Sequence, residues 1–295
     1  MAIGRPGRGT TLAAAVLLAT TACAQATPGT PRADDAASDK IMVKAGLKAF
    51  EDHFKELGDE HAKVYNFLNY DDIELKTEHE SYKYGDPPMT VLERHRASAV
   101  DNSAVLHLPD DPVDYIRLDT EHKDLAPTPW VSTPTLYSDG FETCFLLTAW
   151  LACHLDNAIS QTKLDAPDRQ PAQARRTGDG VEVTTGALLG LMLDEGFIGI
   201  PADQQGEISA KMRDEVVPVT IKLDSHLNFA GFEIRGKVDD GKAKPLELQI
   251  GYEVVGESNP EDFPDKPSAS ELTAITDKAK ADKFWDDFNS RAPAG

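Results

Sequence analysis

Eight histidines and 50 carboxylates give this 295-residue chain ample material for proton transfer or metal binding, and three cysteines offer acylation and a disulfide. Such side chains do chemistry only at set spacings, because a metal or a nucleophile must be met by several of them at once. The chain has no His-Glu-x-x-His, no Gly-x-Ser-x-Gly, no glycine-rich phosphate loop, no Cys-x-x-Cys and no twelve-residue calcium loop. His53 and His61, with Glu51, Glu56, Asp59 and Glu60 nearby, offer a divalent-ion site. They stand eight residues apart rather than four, and a solvated charged face accounts for them better. His154, beside Asp156 on an apolar stretch, reads as a hydrogen-bonded structural histidine, since no local nucleophile needs a base. Asp71-Asp72 with Glu74, and Asp239-Asp240-Gly241, read as strand-end and turn residues. No catalytic residue, metal or cofactor is expected. A hydrolase with dispersed catalytic residues is a distant third reading, because such a site needs no motif.

The cysteines carry more information. Arg5 and Arg8 precede an unbroken apolar run, Leu12 to Ala19, which ends in Thr20-Thr21-Ala22-Cys23. The run falls far short of the roughly 20 apolar residues of a membrane-spanning helix, so residues 1–22 read as a cleaved signal peptide. The ending resembles a bacterial lipobox, with Cys23 as the diacylated (palmitate-bearing) new N-terminus; the alternative is an ordinary cleavage site with a chance cysteine. Cys144 and Cys153 then remain as a pair in an oxidising compartment, and a disulfide is expected in preference to two buried free thiols. Bridged Cα atoms lie within about 7 Å, whereas nine residues span about 13 Å along a helix, so the intervening segment must turn back or break.

Cleavage removes two arginines and leaves 28 basic against 50 acidic residues, a net charge of −22. Such a surface repels phosphate backbones and anionic headgroups, which excludes nucleic acid as a partner and excludes docking on a membrane through a basic patch. Attachment would rest on the acyl chains, and a diacylated cysteine supplies two of them where one is marginal. The chain is expected outside the cytoplasm, anchored to the outer face of the cell membrane by Cys23. Its oligomeric state is left open.

The elements follow from periodicity. Residues 23–38 read as the lipidated cysteine and a flexible spacer, and a first helix is expected over 39–57. Residues 63–108 alternate as strands, as do Tyr115–Leu118 and Val181–Thr184. Pro127 to Pro134 reads as a proline-framed loop around Trp130, which caps the core or lines a ligand mouth. Phe145 to Ile159 is the most apolar stretch of the mature chain: Leu147, Leu151, Leu155 and Ile159 form one row, with Trp150 and Ala158 beside it, as a buried helix would show. Residues 165–180 read as a polar loop, 188–196 and 207–215 as short helices. Val219–Asp224, Phe229–Arg235 and Leu246–Val254 read as three hairpin-linked strands with one dry face. The expected fold is α+β, a curved, mostly antiparallel sheet packed on a central apolar helix. It forms a single domain over 39–268 with an exposed helical tail at 269–295 carrying Trp285 and Phe288.

A lipoprotein leader, a spacer, an N-terminal helix, an open sheet and an apolar helix inside it together resemble the LppX/LprG-like lipoproteins of actinobacteria, of LolA-like fold. A loose match runs from Val219-Thr220-Ile221-Lys222-Leu223 to Ile250-Gly251-Tyr252. The resemblance implies a half-barrel whose hollow holds acyl chains, and a non-catalytic carrier or chaperone of lipid or another hydrophobic ligand. The candidate cavity residues are Leu147, Trp150, Leu151, Phe229, Phe232 and Ile250. The rival is a filled-core scaffold that docks protein or cell-wall partners through its acidic face.

Overall fold

The computed structural model describes residues 35–71, 73–95, 101–135, 144, 147–200, 202–241 and 245–290; the leader, the spacer up to residue 34 and Cys23 lie outside the described residues. Twelve strands are described. The first six are β1 (Glu60–Tyr70), β2 (Ile73–Tyr84), β3 (Met89–His95), β4 (Ser103–His107), β5 (Val113–Arg117) and β6 (Trp130–Pro134). The rest are β7 (Gln173–Arg176), β8 (Gly180–Leu188), β9 (Val216–Asp224), β10 (Phe229–Val238), β11 (Leu246–Gly256) and β12 (Leu272–Ala274). They form one open sheet in the order β12-β6-β5-β4-β3-β2-β1-β11-β10-β9-β8-β7, antiparallel throughout except that β12 runs parallel to β6. The helices are α1 (Asp35–Lys55), α2 (Leu147–Asp165), α3 (Leu189–Asp194), α4 (Ala202–Gln205), α5 (Ala210–Arg213) and α6 (Lys278–Ser290). This is the α+β architecture expected, and β9, β10 and β11 are the three neighbouring hairpin-linked strands.

Period-2 alternation gives each strand two faces, and cross-strand register shows which residues share one. The inner face carries Val183, Ile221, Phe232, Tyr252, Val64 and His79 in one continuous series of paired positions. Helix α1 packs on this face over β7 to β10. Val43, Phe50 and Phe54 fall at helical spacing and are buried, and Phe50 and Phe54 meet Phe229, Phe232 and Tyr252 at ring-centroid distances of 5.2–5.9 Å. The first helix, not the apolar helix, therefore lies across the sheet face, at its β7 to β10 end. Helix α2 sits beside it on β8 and α3. Its buried stripe is Ala149, Ala152, Leu155, Ala158, Ile159 and Thr162, while Trp150 is 37% exposed. Alanines on that stripe let the backbone approach closely, which a row of leucines would prevent.

The Cys144–Cys153 disulfide is formed, with Cα atoms 5.9 Å apart. α2 begins only at Leu147, so Cys144 precedes the helix that carries Cys153. Two stretches expected as loops are strands: Trp130–Pro134 pairs with both β5 and β12, and Gln173–Arg176 with β8. Residues 269–290 are not an exposed tail. They supply β12 and then α6, whose Phe284 and Phe288 are buried against Ile116, Leu118 and Val131 on the inner face. The outer face of β3 to β5 is also dry, Val91, Ala104, Leu106 and Tyr115 being covered by Phe263 and Leu272. Among the described residues, no helix is long and apolar enough to cross a membrane.

Gly46 sits mid-helix in α1, where alanine is normally better by about 1 kcal/mol. A Cβ there would lie 2.3 Å from Val183 Cγ2, so the glycine is what lets α1 touch β8. Gly46→Ala should therefore lower stability by about 1–3 kcal/mol, read from the urea midpoint, despite its better propensity; a raised midpoint would contradict the packing described.

Candidate functional site

Helices α1 and α6 cover the two ends of the inner face and leave a gap between them. The gap is a cavity of about 450 Å³ floored by β1 to β5. Cross-strand pairing organises the floor into three rows. The middle row, Ala62, Ser81, Leu92, Val105, Ile116 and Val131, is almost wholly apolar. Above it runs a polar row, Glu60, Lys83, Thr90, His107, Asp114 and Thr133, each paired with the next. Below it stand Val64, His79, Arg94 and Ser103. Leu57 and Tyr252 wall the α1 side, and Asp282, Trp285, Asp286 and Asn289, spaced i, i+3, i+4, i+7, form the stripe of α6 that faces the cavity.

Glu60, Lys83, His107 and Asp114 of the polar row are bonded within the protein, whereas Thr133 Oγ1 is buried with no hydrogen-bond partner among the described residues. Tyr252 donates its hydroxyl to Glu60, and His53 Nε2 stands 2.8 Å from the other Glu60 oxygen, within ion-pair range though off the hydrogen-bond direction. Burial, with the Glu60 carboxylate beside it, holds the Tyr252 phenol well above its ordinary value. Lys83 Nζ donates to the Gly58 carbonyl at 3.2 Å. His107 Nδ1 and Asp114 Oδ1 are 2.8 Å apart, and Thr135 donates to the same carboxylate at 3.0 Å.

A second cavity, of about 640 Å³, adjoins the first. Its lining includes Leu75, Thr77, His79, Trp150 and Gly199, and it shares Arg94 and Asn289 with the first. His79 is enclosed there, and burial, then the nearby Arg94 charge and His95, push its imidazole down to about 3, so the ring is neutral. Helix α6 is fixed over the floor from beneath. His122 is fully buried, with Nδ1 2.5 Å from Asp119 Oδ1 and Nε2 donating to the Phe288 carbonyl at 3.0 Å.

The residues expected to line a cavity are split. Trp150 lines the second cavity. Phe229, Phe232 and Ile250 lie in the filled core under α1, and Leu151 packs at its margin; Leu147 opens α2. The lining from β2 to β5 and α6 was not anticipated. His53 and His61 are on opposite faces, His53 against Glu60 and His61 stacked on Tyr82 with Nε2 3.0 Å from Glu80. No group of three metal-ligating side chains stands together among the described residues. His154 contacts Glu195 at 3.3 Å and Trp150, in keeping with a structural role.

No protein-family model matches the chain, and no curated protein matches it. Solved structures with a similar layout include LprF from Mycobacterium bovis, at 11% identity and a TM-score of 0.36, covering 79% of this chain and 98% of that one. A LolA superfamily protein from Nitrosomonas europaea has 9% identity, a TM-score of 0.28, and coverage of 76% and 97%. An uncharacterized conserved protein from Thermus thermophilus has 10% identity, a TM-score of 0.33, and coverage of 81% and 99%. Likenesses this distant concern layout alone.

Two outcomes follow from this geometry. Unfolded, His79 takes a proton near pH 6.5, whereas the folded chain resists it until about pH 3. The unfolded state binds more protons in that window, so stability falls as the pH drops through it, by at most about 1.4 kcal/mol per pH unit from this group. His79→Gln should flatten that slope in denaturant melts from pH 7 to 4; an unchanged slope would contradict it. His122→Ala should cost about 1–3 kcal/mol and speed amide exchange in 278–290 before that in α1; uniform exchange changes would show that His122 does not hold α6.

Proposed function

We propose that this chain is an exported envelope lipoprotein that binds a lipid or another hydrophobic ligand without chemistry, in the hollow between α1 and α6. The observation that supports the reading is the cavity itself. A floor of Leu92 and Val105 with walls of Leu57, Trp285 and Tyr252 encloses about 450 Å³, within the 300–1,000 Å³ range of ligand sites. Apolar area supplies the affinity, at about 25 cal/mol per Å² removed from water, and no reacting group is needed. The leader and Cys23 would place the domain outside the cytoplasm, held to the membrane by acyl chains, with the acidic body repelled from anionic headgroups.

The filled-core scaffold has one observation in its favour, the solid packing of Phe50, Phe54, Phe229 and Phe232 under α1. That packing occupies only the β7 to β11 side of the inner face. Protein purified from its own membrane, extracted with organic solvent and examined by mass spectrometry, should release a near-stoichiometric apolar molecule distinct from the N-terminal modification. A clean extract would favour the scaffold.

A further inference from the structure

On the other side of the sheet, the outer face of β10, β11, β1 and β2 carries two grooves of about 550 and 510 Å³ that share Phe67, Arg235 and Gln249. Both are lined by strand residues alone, β3 contributing only His95. The neighbouring outer face of β3 to β5 is, by contrast, covered by Phe263 and Leu272. Outward positions of an open antiparallel sheet are ordinarily polar. Here two successive outward positions of β1 are aromatic. Tyr65 and Phe67, neither of them buried, have ring centroids 5.6 Å apart and planes within 23° of parallel. Gly251, the cross-strand partner of Tyr65, accounts for the attitude of the first ring: a Cβ there would run into it, so Tyr65 lies across β11. Phe67 covers no glycine. It pairs with Gln249 on one side and with Lys76 on the other, whose exposed Nζ lies 5.3 Å from the ring centre.

The charged groups around the two rings are matched among themselves. Arg235 stands 3.0 Å from Glu233, Lys237 2.7 Å from Glu247 and Lys63 3.3 Å from Glu80, so the grooves present interspersed signs and no sustained field that selects a charged polymer. We infer that this face is a second binding site, separate from the hollow, for a neutral, extended glycan chain. Its sugar rings lay their C–H faces on Phe67 and Tyr65, and their hydroxyls bond the planar groups at the rim, Gln249, Arg235, Glu233 and Glu78. A hexose is two-sided in that way: its ring faces are apolar, and its edge carries hydroxyls that both donate and accept. An acyl chain on the same rings would desolvate the polar rim without bonding it. The 5.6 Å between ring centres is close to the repeat of one sugar in an extended chain, so successive sugars can occupy successive rings. The site lies on the opposite face from the hollow and does not depend on what the hollow holds.

The test is calorimetric titration of the purified protein with cellohexaose, chitohexaose, hyaluronan hexasaccharide and hexalysine at pH 7. At least one of the two neutral hexamers should bind, about tenfold or more tighter than the anionic and cationic chains. Phe67→Ala should weaken that binding about tenfold, as loss of one stacked ring would. Phe67→Leu, which keeps apolar bulk but not the flat ring, should weaken it as well in a protein whose urea midpoint is little changed, and it decides the point should the alanine variant fail to fold. Failure of both neutral hexamers to bind, or binding that passes unchanged through Phe67→Leu, would overturn the site. Hyaluronan or hexalysine binding as tightly as the neutral chains would overturn the neutral glycan and give the face to a charged partner.

Discussion

An open sheet of this width has an inner face too large for one helix to cover, and the whole molecule is arranged around how that face is kept from water. On the β7 to β11 side α1 drives Phe50 and Phe54 onto Phe229, Phe232 and Tyr252, and the space is filled. On the β3 to β6 side α6 sets Phe284 and Phe288 on Ile116, Leu118 and Val131. The strands between them, β1 and β2, lie under the gap that the two helices leave. The hollow is what remains when two helices of fixed width roof one curved surface, and its position follows from where each aromatic pair is anchored.

Electrostatics gives the hollow its two edges. One polar row runs from Glu60 to Thr133 and is bonded through Tyr252, Gly58 and Thr135, with Thr133 Oγ1 left without a hydrogen-bond partner among the described residues. The other centres on Arg94, with buried groups on both sides that bond nothing described. The strip between them is apolar. The acidic surface acts at longer range: it keeps the body off anionic headgroups and leaves close attachment to the acyl chains that Cys23 would carry.

Much of the fold was legible in the chain, for reasons that particular residues make plain. Val219–Asp224 and Leu246–Val254 alternate strictly because one of their faces meets α1 and the other meets water. β6 was hidden by Pro129 and Pro134, which frame a strand here because they fall at its ends. The cavity was misplaced because Phe229 and Phe232 are indeed inward-facing, and nothing in periodicity says that α1, rather than space, lies above them. The lining on β3 was illegible for a different reason: Val91 and Leu92 are both buried, on opposite faces, so alternation does not reveal which of them, or of Arg94 and His95, looks inward. The tail at 269–290 showed its amphipathic pattern, and the partner for its apolar side, Ile116 and Val131, lies more than 140 residues away.

The central claim is that an apolar chain enters the space between α1 and α6, and photochemical mapping tests it most directly. A long-chain alcohol bearing a diazirine, irradiated with the domain and digested, should label peptides containing Leu92, Val105 or Trp285, with little label on the Phe229–Val238 strand. Label confined to the outer face, or spread without preference along the chain, would show that the hollow is not where the molecule holds its ligand.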